Sequence, residues 1–325
     1  MRAVGKFLGR LLLVLVALGA GLWLFGPYEA APLTPTRAEV GADIDAHFAK
    51  VEAQFDDIVP GTEKRIVWAG EAGARTEWSV LYVHGFSATS EEIRPVPDKV
   101  AEGLGANLIF TRLQGHGRGP DALADGTVQG WVNDLAEGMA AARAVSDKVI
   151  VLSTSTGSTL VTALARDTVV MDGVAGLIMV SPNYGLNNPL APLLSWPAAR
   201  YWLPPLAGAR RSFEPQNEGH ATYWTTEYDS VAVMPMVALI DAVNDMDHSE
   251  QRLPALFWFA TADEVVQPAR TAEIAAAWGG PSTVVNPVMG DGDDPQSHVI
   301  AGDILSPGQT DAAVAGMLDW IAGLE

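Results

Sequence analysis

The stretch Val149-Ile150-Val151-Leu152-Ser153-Thr154-Ser155-Thr156-Gly157-Ser158 constrains this chain more than any other. Four apolar residues, three of them β-branched, suit a short strand buried on both faces. Only small residues follow. From Leu160 the apolar spacing of Leu160, Val161, Ala163 and Leu164 becomes that of a helix face. A strand that turns at once into a helix, with serine at the corner, is the geometry of a nucleophile elbow. The corner residue is held in a strained turn, its hydroxyl stands clear, and the N–H groups of the new helix point at whatever it attacks. The elbow pattern is G-x-S-x-G, and here Ser153 replaces the first glycine. Strand and helix pass closely there, so small residues are needed two before and two after the corner; Ser153 and Gly157 meet that need. Ser155 is the candidate nucleophile. The competing reading is a Ser/Thr-rich loop that caps the next helix.

The surrounding pattern supplies a frame for such an elbow. Strands are expected at Arg65–Ala69, Trp78–Val83, Ala106–Thr111, Val174–Val180, Pro254–Ala260 and Thr283–Val288, besides the elbow strand. Helices are expected at Glu91–Leu104, Val128–Ser146 and Thr310–Leu324, and an amphipathic one at Ala38–Phe55, with Val40, Ile44, Phe48, Val51 and Phe55 on one face. Strands alternating with helices of this length predict a doubly wound, mostly parallel α/β sheet, with sites at the carboxyl ends of its strands. One segment breaks the alternation. Residues 183–250 are rich in Trp, Tyr, Leu and Pro, and a structureless loop of that length is foreign to a compact domain. The segment is expected to be an inserted helical cap over the carboxyl edge.

A serine hydroxyl needs a base within hydrogen-bond reach, and the base needs an orienting acid. Of the six histidines, only His298 lies beyond the last strand, in a loop before the final helix. His47 is expected on the exposed face of the Ala38–Phe55 helix. His84 and His116 sit in tight glycine turns, and His220 and His248 fall in the cap, within reach of a substrate. For the acid, Phe257-Trp258-Phe259-Ala260 reads as strand, and Asp263 falls just past its carboxyl end, with Glu264 pointing away. The chain order is then Ser155, Asp263, His298.

With those pieces in place, the chain resembles the α/β-hydrolase superfamily, in its carboxylesterase and monoacylglycerol-lipase-like branch. The resemblance rests on His84-Gly85-Phe86-Ser87, Gly115-His116-Gly117, Ser153-Thr154-Ser155-Thr156-Gly157, Asp263-Glu264-Val265-Val266 and Ser297-His298, in order from Arg65 to the C-terminus. It departs from the family at Ser153 and in the N-terminal segment. It implies a Ser155–Asp263–His298 triad and an oxyanion hole built from the backbone N–H groups of Phe86 and Thr156. The activity implied is cleavage of carboxylic esters with an apolar acyl group through an acyl-enzyme. An acyltransferase, a thioesterase or an amidase with the same triad is the alternative, and a non-catalytic binding protein on this fold is a further one. No cofactor and no metal are called for. Asp291-Gly292-Asp293-Asp294 lacks the glycine and glutamate an EF-hand loop would need, since Gln296 and Gly302 stand there, and reads as a solvated acidic loop that positions His298. Aromatic cap residues, Trp196, Tyr201 and Trp224 among them, are candidate substrate contacts beside His84.

The first residues stand apart. Arg2, Lys6 and Arg10 precede the apolar run Leu11–Gly26, which is about 24 Å long as a helix. Residues 1–27 read as a membrane anchor with its N-terminus in the cytoplasm and the catalytic domain outside; the alternative is a signal peptide, cleaved to release a secreted enzyme. Residues 28–37 read as a linker and 38–325 as the hydrolase domain. The net charge of −19 over 325 residues excludes a nucleic-acid partner and disfavours anionic lipid. With no cysteine, thiol nucleophiles, disulfides and thiolate metal sites are excluded.

Overall fold

The computed structural model describes residues 2–36 and 39–324, without the side chains of Arg2 and Ala3. The expected start of the amphipathic helix at Ala38, the end of the linker at Arg37 and the side chain of Arg2 lie outside the described residues. Helix α1 (Arg2–Phe25) is continuous, so Gly5 and Gly9 do not break it and it begins well before Leu11. Its segment Val4–Phe25 has a mean hydropathy of 2.1 and is long and apolar enough to cross a membrane, at about 33 Å. Helix α2 (Ile44–Glu52) starts later than Ala38 because Asp43 caps it, its carboxylate accepting from the Ala46 N–H at 2.9 Å. His47 on α2 is half-buried and bonded to Glu137 at 2.8 Å, rather than exposed.

The core is one seven-stranded sheet. It is built from β1 (Arg65–Val67), β2 (Thr76–Val83), β3 (Asn107–Phe110), β4 (Ser146–Thr154) and β5 (Val174–Val180), then β8 (Ala255–Trp258) and β9 (Ser282–Val285). The strand order is β1-β3-β2-β4-β5-β8-β9, parallel throughout except for β1. The central strands β2, β4 and β5 carry unbroken apolar runs because helices cover both faces. On one face lie α4 (Val128–Ala144), α5 (Thr156–Leu164) and α8 (Val233–Asn244), packed around Trp131, Leu81 and Phe257; on the other lie α3 (Val96–Leu104) and α10 (Thr310–Ala322), packed around Tyr82, Leu108 and Ile178. Helix α3 begins five residues after the expected Glu91. Pro95 and Pro97 are tolerated only around a first turn, so residues 91–95 form turns instead.

Between β5 and β8 the chain leaves the sheet. It forms α6 (Ala199–Ala207), the hairpin β6 (Arg210–Ser212) and β7 (Glu227–Asp229), the short α7 (Glu218–Tyr223) and then α8. After β8, α9 (Pro268–Ala277) leads into β9.

Candidate active site

Ser155 stands between β4 and α5 with φ +49° and ψ −117°. A serine in that region stores strain of order 1–3 kcal/mol and persists only where its surroundings insist on it. They do so here through Gly157: a Cβ there would lie 2.3 Å from the Val83 carbonyl oxygen and 2.5 Å from that of His84. Strand β2 and helix α5 therefore close to a distance that only glycine allows. Ser153 occupies the other small position. Its hydroxyl pairs with that of Ser158 at 3.0 Å and reaches the Ile178 carbonyl at 3.2 Å, so the extra oxygen is satisfied internally.

The structure brings Ser155, His298 and Asp263 together from three separate loops. Asp263 Oδ2 lies 2.8 Å from His298 Nδ1. A carboxylate can only accept, so Nδ1 carries the proton, and Nε2 is left to accept from the Ser155 hydroxyl at 3.1 Å. The other oxygen of Asp263 accepts from the N–H groups of Val265 and Val266 at 2.8 and 2.9 Å, which fixes the carboxylate plane. All three side chains are buried, and Glu264 is exposed and turned away. Burial by itself would depress the His298 imidazole, but the Asp263 charge in front of it, helped by Glu92 and Asp294, holds its pKa above the ordinary histidine value. The N–H groups of Phe86 and Thr156 flank Ser155 and take part in no intramolecular hydrogen bond among the described residues. Thr156 opens α5, where an N–H has no partner within the helix.

Two buried carboxylates complete the setting: Asp294, in the loop expected to position His298, and Glu92, which the sequence did not single out. Asp294 is buried, not part of a solvated loop. One of its oxygens accepts from the N–H groups of His298 and Val299 at 3.0 and 2.9 Å, and the other takes Gln216 of the cap at 2.9 Å. A buried acid four residues ahead of a histidine is indistinguishable in sequence from its neighbours, the exposed Asp291 and the half-buried Asp293. Glu92 is buried beside the elbow, accepting from the Gly85 N–H at 2.7 Å and the Tyr82 hydroxyl at 3.1 Å. Burial pushes its pKa up to about 7.

Above Ser155 lies a cavity of about 1010 Å³, walled by apolar cap residues such as Leu194, Trp202 and Leu203. Trp224 and His220 belong to its wall, their rings 4.8 Å apart. Trp196 and Tyr201 do not: α6 turns Trp202, Leu203 and Leu206 toward the cavity at helical spacing, which sends Tyr201 outward. His84 is no substrate contact either. It is fully buried, with Nδ1–H donating to the Gly85 carbonyl at 2.9 Å and Nε2 accepting from the Leu113 N–H at 3.1 Å, so it ties together the turns after β2 and β3. His248 is buried and does not line the cavity.

A doubly wound sheet with a strained serine at the end of its middle strand, a histidine loop before its last helix and an inserted cap defines the α/β-hydrolase class. The chain belongs to the hydrolase family of serine aminopeptidase, S33, whose profile matches residues 74–285. A thermostable monoacylglycerol lipase of Bacillus sp. (strain H-257) is 33% identical over 87 residues, which is 27% of this chain and 34% of that protein. The chain thus matches about a third of that relative's length. Among solved structures, one described with the metagenome-derived lipolytic enzymes LipS and LipT superposes with a TM-score of 0.66 at 20% identity, covering 82% of this chain and 99% of that one. A soluble variant of monoglyceride lipase from Saccharomyces cerevisiae superposes with a TM-score of 0.61 at 13% identity, covering 81% and 91%.

Proposed function

We propose that this protein is a serine ester hydrolase that cleaves carboxylic esters of an apolar acyl group through an acyl-enzyme at Ser155. The observation that carries the reading is the hydrogen-bonded line from Ser155 through His298 to Asp263 beneath an apolar cavity. As the Ser155 hydroxyl attacks the ester carbonyl, His298 takes its proton at Nε2, and Asp263 holds the imidazole in that tautomer and stabilises its cation. The charge on the carbonyl oxygen falls to the N–H groups of Phe86 and Thr156, each such donor being worth roughly 10²–10³ in rate. The alcohol leaves with the proton from His298. Water, deprotonated by the same imidazole, then releases the acid.

The cavity suits an ester of mixed character: Leu186, Leu193, Leu194, Trp202 and Leu203 offer apolar surface to an acyl chain, and polar groups that include Arg211, Glu214 and Gln216 share the wall. We read residues 1–27 as an anchor, 28–37 as a linker, and 38–325 as the hydrolase domain with the cap at 183–250. The catalytic domain then lies outside the cytoplasm. The lipase named among the sequence relatives supports a lipid-like ester as substrate. The test is a chain-length series of p-nitrophenyl esters with wild type and Ser155→Ala. Turnover of short to medium chains that Ser155→Ala abolishes is expected; unchanged turnover in that variant would assign the nucleophile elsewhere.

A further inference from the structure

Helix α1 is not a free tether in this structure; its carboxyl end is fastened to the cap. The Trp23 ring meets the Trp196 ring edge-on, with centroids 5.9 Å apart. The Pro27 carbonyl accepts from the Ala198 N–H at 2.7 Å. Glu29 and Arg200 form a two-pronged ion pair at 2.9 and 2.6 Å. Gly26 sits so near the cap that a Cβ there would come within 2.6 Å of Pro197 Cβ. Trp196 in turn packs on Trp202, which walls the cavity, with centroids 6.3 Å apart. A short chain of contacts thus links the end of the apolar helix to the acyl pocket.

The same part of the cap leaves large apolar groups uncovered. Leu190, Tyr201 and Leu206 are 66%, 69% and 78% exposed, and Trp196 is half-exposed. Leu190 and Leu206 also belong to the cavity wall, so the uncovered patch is the rim of its mouth. Tryptophan and tyrosine are the residues that settle at a membrane–water boundary. Here Trp23 and Tyr28 flank the end of a 22-residue apolar helix, Trp196 packs on Trp23, and Tyr201 and Trp202 follow on α6, beside the Arg200 that pairs with Glu29.

We propose that the outer face of α6 and the turn before it dock on the bilayer that α1 crosses, so that the cavity mouth opens onto lipid and receives its ester from the leaflet. This deepens the ester-hydrolase reading and rests on α1 being an anchor. The partner is a neutral or zwitterionic surface, because a chain of net charge −19 gains nothing from anionic headgroups and the patch offers apolar groups for insertion. Of the basic groups nearby, Arg200 is paired with Glu29 and Arg210 with Asp121, Glu227 and Asp229, while Arg211, whose Nε has no partner among the described residues, belongs to the cavity wall.

The chain has no cysteine, so single labelling sites are available. A full-length chain carrying Tyr201→Cys with a polarity-sensitive fluorophore, placed in phosphatidylcholine vesicles, should show a blue-shifted emission quenched by brominated lipid. The same label at Val169→Cys, exposed after α5 at the far end of the sheet, should stay unquenched. In parallel, Glu29→Arg should slow hydrolysis of a long-chain monoacylglycerol held in the vesicles by about threefold to fivefold, the scale of one surface ion pair, and leave turnover of a soluble short-chain ester unchanged. Glu29→Arg with Arg200→Glu should restore it. A label at 201 that stays unquenched, a chain that does not float with the vesicles, or an equal effect of Glu29→Arg on both esters would each overturn the docking. Quenching at 201 with no hydrolysis of either ester by the wild type would support the docking and remove the hydrolase reading instead.

Discussion

The carboxyl edge of the sheet and the cap above it are held by different forces. At the sheet edge, Ser87, Ser155, Ser181 and Ser297 all take positive φ, between 44° and 62°. Around them Gly157 closes a backbone contact and the carboxylates of Asp263 and Asp294 bind backbone N–H groups. Position there is dictated by main chain, and a shift of an ångström costs orders of magnitude in rate. The body of the cap rests on side-chain packing, Leu203 and Ala199 against Met234 and Trp224 against His220, and is tied to the sheet edge at separate points: the Thr225 N–H to the Ser87 carbonyl at 2.7 Å, Gln216 to Asp294 at 2.9 Å and Asn217 to the Ile304 carbonyl at 2.7 Å. Packing of that kind tolerates substitution and sets which acyl group fits rather than whether chemistry occurs.

If that contrast holds, substitutions at the edge should act on kcat and those in the cap on KM. The largest effect is expected for Asp263→Asn, which keeps the shape but allows the wrong imidazole tautomer: kcat should fall by about 10⁴-fold with an unchanged thermal midpoint. Gly157→Ala drives a methyl into the Val83 and His84 carbonyls. It should lower kcat by about 10²-fold and reduce the thermal midpoint as well, which calorimetry would register. Asp294→Asn removes half of the acceptors that seat His298. We expect roughly a tenfold loss in kcat with KM unchanged.

The pH profile sharpens the same contrast. His298 must be neutral to accept the Ser155 proton, so kcat/KM should rise as pH rises through its pKa. Asp263, with Glu92 and Asp294, holds that pKa above the ordinary histidine value, so the acid limb should lie above about pH 6.5. Glu92, with its own pKa pushed up to about 7, is only partly charged there, so Glu92→Gln should move the limb to lower pH by less than the loss of a full charge would. The smallest effect belongs to the cap: Leu194→Ala should raise KM for medium-chain esters by about fivefold and leave kcat nearly unchanged.

The same division governs what could be read from the amino acids alone. The strand-to-helix switch at Ser153–Gly157, the order Ser155, Asp263, His298 and the parallel sheet follow from periodicity and small-residue spacing, and these belong to the backbone-governed edge. Strand ends differ by up to three residues, as at Ser146 and Val285, and α3 starts late because of Pro95 and Pro97. The cap as a unit was legible from its length and composition, but its inner and outer faces were not. Trp196 and Tyr201 differ from Trp224 only in which way a turn rotates them. The loop at 291–294 was legible as the one that positions His298, but the burial of Asp294, and Glu92 altogether, were not: whether a carboxylate is solvated or buried depends on contacts such as Gln216 with Asp294 and Tyr82 with Glu92 that only the fold creates.

The most direct measurement is labelling of the full-length protein with a fluorophosphonate probe, with the adduct located by peptide mass mapping. A single adduct on Ser155 is expected, lost in Ser155→Ala and slowed by orders of magnitude in His298→Ala. An adduct on another residue, or labelling of Ser155 that proceeds at full rate without the imidazole, would contradict the convergence of these three side chains as the source of the chemistry.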